Sequence, residues 1–178
     1  MLEEYFDLLD DNGNPTGKTV SRSDAHAQGL WHRTVHIYIF RKSKNGVELL
    51  VHLRAKNKDL NPDMLDTRFG GHLKAGETIE EALVSELRDE IGITASVQEM
   101  IAGPIRKRNN FPNNEFTSSY FYEFRGNDDT LKFNDGEVQE IKWMNVEDIL
   151  QSMKVEAKLW SGRATSFEEI KDMLLKTT

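Results

Sequence analysis

Between Gly70 and Ile93 the sequence reads GGHLKAGETIEEALVSELRDEIGI. Carboxylates crowd its second half, and their spacing is that of a helix. With Ile79 as origin and roughly 100° per residue, Leu83, Val84, Leu87 and Ile91 fall on one apolar face. Glu86 and Glu90 fall at roughly 340° and 20°, on the margin of that face, and Asp89 near 280°, beside them. Like charges spaced i,i+4 repel on a bare helix. A carboxylate cluster at a core margin is costly unless a positive charge sits among it. An oxygen-rich set of this kind suits Mg²⁺ or Mn²⁺. Glu80 and Glu81 lie on the outer arc and read as solvated.

The elements that must hold these residues are legible on either side. Three glycines, Gly70, Gly71 and Gly76, make a loop that can approach a ligand closely. Thr78 caps a helix over 78–91, Glu81 completes a capping box, and Gly92 ends the helix. Upstream, 4–9 reads as a strand and Asp10 to Pro15 as a dense turn, giving a hairpin that returns through Lys18-Thr19-Val20. Gly17-Lys18-Thr19 resembles the end of a phosphate loop, but Asn12 stands where the earlier glycine is required. Ser23 to Gly29 reads as a short helix, and 34–40 and 47–53 as strong strands. Residues 55–66 read as loop. Further strands are expected at 94–101, 116–125 and 138–143, with Arg106-Lys107-Arg108 as a charged loop. Helices are expected over 146–153 and 166–175, the latter with a Ser166/Glu169 capping box. The interleaving without strict βαβ alternation predicts an α+β fold, a mixed sheet between helices.

The chain has 178 residues and a net charge of -7. The length favours one domain, 1–178, with an N-terminal hairpin extension (about 1–30) and a C-terminal helix (about 166–176). The acidic balance argues against a nucleic-acid polymer as partner, since such binding needs basic surface. A small anion stays open as a ligand, because a bound metal reverses the local field. There is no cysteine, which removes disulfides, thiolate metal sites and thiol nucleophiles together. The acidic amino terminus has no signal-peptide character and no apolar run nears the roughly 18 residues of a membrane span. No membrane partner is expected, and the cytoplasm is the expected compartment. A homodimer is left open.

The segment resembles the Nudix box, G-x5-E-x7-R-E-U-x-E-E-x-G-U with U apolar. Gly71, Glu77, Glu86, Leu87, Glu90, Gly92 and Ile93 match; Asp89 keeps the charge of the first glutamate of the pair. Ser85 stands where the family has an arginine that supports the loop glutamate. The pattern Tyr5, Asp11-x-Gly13, His26, Trp31-His32-Arg33, Arg54, Gly71-His72, Glu137-Val138 and Trp143 is similar to the subgroup that includes isopentenyl-diphosphate isomerase. It covers roughly 4–150. That enzyme needs a cysteine immediately before its Gly-His pair, and here the position is Gly70.

The resemblance implies hydrolysis of a diphosphate linkage in a nucleoside diphosphate joined to a group X, with Mg²⁺ or Mn²⁺ held by Glu86, Asp89, Glu90 and the carbonyl of Gly71. It implies a further carboxylate, Glu137 with Glu140 as fallback, as ligand or water-activating base. Glu90 and Glu137 are the expected catalytic residues; Arg54 and His72 are expected to meet the substrate. His26, His32 and His72 match histidines that hold a metal in the isomerase, and three imidazoles would favour a transition metal. His36 and His52, in strands, read as packing residues. Phe111, Phe116, Tyr120 and Tyr122 could line a pocket for a flat group, or pack a core. Two rivals stand beside the hydrolase. One is an allylic-diphosphate isomerase, against which the missing thiol counts. The other is a binding domain that has lost turnover, for which Ser85 is the hint and the intact Glu86 and Glu90 the objection.

Overall fold

A computed structural model describes residues 3–58, 60–133 and 136–178. Asn134 and Asp135, in the sequence ahead of Glu137, lie outside the described residues, as does Asp59.

The first strand, β1 (Tyr5–Leu9), pairs antiparallel with β2 (Pro15–Ser21) in a separate two-stranded sheet. Ser21 then caps the short helix α1 (Arg22–Gln28) through the Asp24 amide. Lys18 and Thr19 belong to β2, so no phosphate loop forms there.

The main sheet has the order β5-β4-β3-β7-β6, with β8 paired to β4. Its strands are β3 (His32–Ser43), β4 (Gly46–Arg54), β5 (Leu65–Asp66), β6 (Met100–Asn110), β7 (Asn113–Glu123) and β8 (Val138–Asn145). β3 and β7 run parallel and the other pairings are antiparallel, so the sheet is mixed as expected.

Alternation along β3 builds two cores. Val35, Ile37 and Ile39 point to one face, where Leu83, Leu87 and Ile91 of α2 (Ile79–Ile91) close on them. Tyr38 and Phe40 point to the other, beneath Ile149 and Met153 of α3 (Val146–Val155) and Phe167 and Leu174 of α4 (Ala164–Thr177). Each face of the sheet therefore buries an apolar stripe of helix, which is the driving force for the layered arrangement.

Four expectations need correction. The segment 55–66, read as loop, ends in β5, where Leu65 and Asp66 pair with Leu53 and His52. The strand placed at 94–101 begins at Met100, because the Glu99 carboxylate accepts the Ser96 amide at 2.8 Å and winds 97–99 into a 3₁₀ turn. Arg106-Lys107-Arg108 is strand, part of β6, and alternation separates the charges. Arg106 reaches Glu169 (2.6 Å) and Arg108 reaches Glu115 (3.2 Å). Lys107 lies over the ring of Trp31. The last helix starts at Ala164 with Arg163 as its N-cap, so Ser166 lies inside it and no Ser166/Glu169 box forms; Arg106 takes the Glu169 carboxylate.

Candidate active site

Helix α2 begins as its sequence requires. Thr78 and Glu81 exchange the two hydrogen bonds of a capping box. That fixes the rotation of the helix, and the packing of Leu83, Leu87 and Ile91 against β3 fixes which side faces inward. Glu86 and Glu90 are consequently part-buried, while Glu80, Glu81 and Asp89 are exposed. Both inner carboxylates press on the same two residues. Glu90 accepts the Gly70 amide at 2.8 Å. A Cβ on Gly71 would stand 2.9 Å from Glu86 Oε1, so any side chain there would push the carboxylate away. The Gly71 carbonyl accepts the Val35 amide at 2.9 Å, which uses one of its two lone pairs.

Negative charge converges on Glu86. Burial above all, then the neighbouring carboxylates Glu137, Glu77 and Asp89, push its carboxyl up to about 7, with Lys74 opposing. Asp89 is the outlier of the set. Arg88 holds it by two hydrogen bonds on the solvent side and draws its carboxyl below the ordinary range.

Glu137 arrives from the opposite direction, just ahead of β8. Its carbonyl accepts the Ala55 amide (2.9 Å) and its carboxylate pairs with Lys58. Arg54 organises the same loop: its guanidinium donates to the carbonyls of Leu60 (3.0 Å) and Asn61 (3.1 Å) and lies 3.5 Å from the buried Asp66. Lys58 carried no signal in the sequence, because a lysine in a polar loop looks like any other.

The loop before α2 manages without the arginine that Ser85 replaces. The Ser85 hydroxyl turns back to the Ala82 carbonyl (3.0 Å) and lines a shallow groove of about 690 Å³. Glu77 accepts the Lys74 amide (2.8 Å). From outside, Tyr5 takes the Ala75 amide on its carbonyl and Asp7 takes the Gly76 amide on its carboxylate. Strand β1 thus props the loop, a long-range support invisible in the box itself.

On the other side of Gly71, three histidines meet. The ligand nitrogens of His26, His32 and His72 lie within 4.8 Å of one another. His32 Nδ1 donates to the Leu30 carbonyl at 2.8 Å, which leaves the Nε2 lone pair facing the cluster, buried and without a partner among the described residues. Phe6 stacks on His32 and His72. Burial is the chief cause that lowers all three imidazoles, His72 to about 2, so they are neutral near pH 7. Buried Glu115 stands 3.9 Å from His72. Neutral imidazoles around an orphaned lone pair fit a transition-metal cation.

The aromatic candidates divide. Phe111 is exposed at the turn between β6 and β7 and Phe116 packs on Trp31, whereas Tyr120 and Tyr122 pack against the α2-side core.

Comparison with known proteins agrees with this architecture. The NUDIX domain family model matches residues 30–168, and the chain belongs to the Nudix hydrolase family. An uncharacterized Nudix hydrolase of Clostridium acetobutylicum is 30% identical over 153 residues, covering 84% of this chain and 73% of that protein. An isopentenyl-diphosphate Delta-isomerase of Escherichia coli is 30% identical over 163 residues, 90% of this chain and 86% of the other. Among solved structures, DR0079 of Deinococcus radiodurans superposes with a TM-score of 0.64 at 22% identity, over 85% of this chain and 90% of that one. Among the described residues no helix is long and apolar enough to cross a membrane.

Proposed function

We propose that this Nudix hydrolase cleaves the diphosphate linkage of a nucleoside diphosphate-X or related small diphosphate with the help of Mg²⁺ or Mn²⁺. One observation carries the reading: Glu86 and Glu90 converge on the bare backbone of Gly70–Gly71, where Glu86 is costly to ionise unless a cation joins it. Glu86, Glu90 and the Gly71 carbonyl would hold that cation, with Asp89 at its outer edge. Bound divalent cations would neutralise the diphosphate and acidify an attacking water. Glu137, whose charge bears on Glu86, would take the proton as the water oxygen bonds to phosphorus and the bridging P–O bond breaks. Lys58 and Arg54 supply positive charge beside it for the substrate phosphates. Some Nudix proteins do accept such ligands: the Nudix domain of Shewanella oneidensis NrtR was solved in complex with ADP ribose, at a TM-score of 0.57 and 15% identity.

Gly70 speaks for hydrolysis over isomerisation. Its φ is +119°, and a Cβ would sit 2.4 Å from the Val35 carbonyl oxygen. The backbone here has a shape that a cysteine cannot adopt unstrained. The histidine trio is, on this reading, a second cation site suited to a transition metal, and the orphaned His32 Nε2 favours it. The test of the hydrolase is phosphate release from a panel of diphosphate compounds with Mg²⁺, with and without chelator. Chelator-sensitive release supports it; no release from any compound refutes it.

A further inference from the structure

Residues 69–73 are zipped to β3 by backbone hydrogen bonds. The Ile37 amide donates to the Phe69 carbonyl (2.7 Å), the Val35 amide to the Gly71 carbonyl (2.9 Å) and the Leu73 amide to the Arg33 carbonyl (3.0 Å). The ladder stops there. Lys74, Ala75 and Gly76 are exposed, and α2 begins only at Ile79. Support for the loop between comes from β1. Tyr5 accepts the Ala75 amide on its carbonyl (2.7 Å), and Asp7 accepts the Gly76 amide on its carboxylate (3.1 Å).

Arg33 stands where one support hands over to the other. Its carbonyl takes the last bond of the ladder. Its guanidinium lies 3.4 Å from the same Asp7 carboxylate oxygen that accepts the Gly76 amide. Both side chains are part-buried, and a charge-assisted contact there is stronger than one at the open surface. The Arg33 Nε–H is buried and has no partner among the described residues. An unsatisfied N–H costs stability, so a full set of hydrogen bonds is not what keeps Arg33 in this place. The helix side offers the loop no comparable hold. The Ser85 hydroxyl donates to the Ala82 carbonyl (3.0 Å), away from the loop. Ser85 and residues 74–77 line a groove of about 690 Å³, large enough for a long side chain.

We infer that Arg33 is a positioning residue: through Asp7 it braces the loop 74–77 from the sheet side and so fixes Gly71 and Glu77 beside Glu86. A long cationic side chain at position 85 would do the same from the helix side, with Glu77 as its partner in the groove. The inference rests on the cation site read at Glu86, Glu90 and the Gly71 carbonyl. Arg33 touches neither cation nor substrate; it acts on the backbone that carries that carbonyl and on the carboxylate of Glu77, whose charge bears on Glu86. Removing an outer support of this kind changes metal affinity or activity by about 10- to 100-fold.

The experiment follows two readouts, the Mg²⁺ dependence of phosphate release from the best diphosphate substrate and hydrogen exchange at the Ala75 and Gly76 amides. Arg33→Ala should raise the Mg²⁺ concentration for half-maximal rate by about tenfold and speed exchange of both amides by a similar factor. Asp7→Ala should do the same, and the double variant should be no worse than either single one, because the two residues act through one contact. Arg33→Lys, which keeps the charge, should recover most of the loss. Ser85→Arg added to Arg33→Ala should restore both readouts, which a merely structural loss would not allow. Asp7→Asn, which keeps an acceptor for Gly76 and drops the charge, carries the test should Arg33→Ala fold poorly. Unchanged exchange and Mg²⁺ dependence in Arg33→Ala, or losses that add in the double variant, overturn the inference. Loop protection lost in Arg33→Ala and regained with Ser85→Arg, in a protein that releases phosphate from no compound, refutes the hydrolase and leaves the brace standing.

Discussion

On the proposed reading the carboxylates of α2 and the histidines around Phe6 would each take a cation, and they are built in opposite ways. Glu86 and Glu90 are one helical turn apart, so a single element sets their separation and the two-residue backbone of Gly70–Gly71 completes the site. The histidines come from α1, from the start of β3 and from the segment after Gly71, and His26 and His72 meet across 46 residues of sequence. One site follows from helix periodicity; the other exists only once the N-terminal hairpin has docked. The contrast extends to charge. The first is a set of anions pressed together at a core margin, the second a set of neutral nitrogens with a lone pair to spare. The first suits a hard, oxygen-seeking ion and the second a softer one.

The largest expected effect is kinetic and tests the helical side of the comparison. Glu86→Gln and Glu90→Gln should each lower kcat by about a thousandfold on the best substrate, since charge stabilisation and water activation fail together. Glu80→Gln and Glu81→Gln should each change it by less than about twofold, since a glutamine at position 81 still accepts the Thr78 amide and keeps most of the cap. Steady-state kinetics on the four variants at saturating Mg²⁺ separates the faces. Equal damage from the outer pair would mean that position on the helix does not matter.

Gly70 is the hinge between the two sites. Gly70→Cys should destabilise the protein by about 3 kcal/mol in thermal or urea unfolding, because positive φ and a Cβ against Val35 act together. It should not confer interconversion of isopentenyl and dimethylallyl diphosphates. Interconversion at an enzymatic rate by the wild type or the variant would restore the isomerase.

Protonation sharpens the contrast further. Burial, with the neighbouring carboxylates, pushes the Glu86 carboxyl up to about 7, above the ordinary carboxylate range, so folding favours its neutral form. That contribution is complete below about pH 4.5 and is lost as pH rises through 7, on the order of 3 kcal/mol. The histidines work in the other direction: lowered in the folded state, they add stability as pH rises through their unfolded value. Melting curves of wild type minus Glu86→Gln in metal-free buffer isolate the carboxylate. The difference should shrink from pH 5 to 8 and reopen in favour of wild type when Mg²⁺ is added. A pH-independent difference would mean that Glu86 is not strained by ionisation.

The smallest effect concerns the histidines. Mn²⁺ or Zn²⁺ at about a hundred times its Kd should stabilise the protein by about 2.7 kcal/mol through this site. His72→Ala should remove that gain while leaving the Mg²⁺ response intact. Loss of both responses together would merge the two sites into one.

Much of this was readable from residues alone, and for physical reasons. The caps of α2, its apolar stripe and the inward lean of Glu86 and Glu90 follow from local geometry, as do the strong strands β3 and β4. The strand β6 was misplaced because Pro104, Arg106 and Lys107 look like loop. They become strand only because Glu169, Glu115 and Trp31 are waiting on its two sides. Asp89 reads as a member of the cluster by angle, yet its neighbour Arg88 holds it outward. The propping of the 74–77 loop by β1, the pairing of Lys58 with Glu137 and the closure of the histidine trio are all tertiary. Spacing along the chain has no means of expressing them.

The most direct measurement of the central claim is a crystal soaked in Mn²⁺ and measured for anomalous scattering. A peak between the carboxylates of Glu86 and Glu90 and the carbonyl of Gly71, absent in Glu90→Gln, is the predicted result. Density at the histidines alone, or none beside α2 at millimolar Mn²⁺ with substrate present, would contradict it.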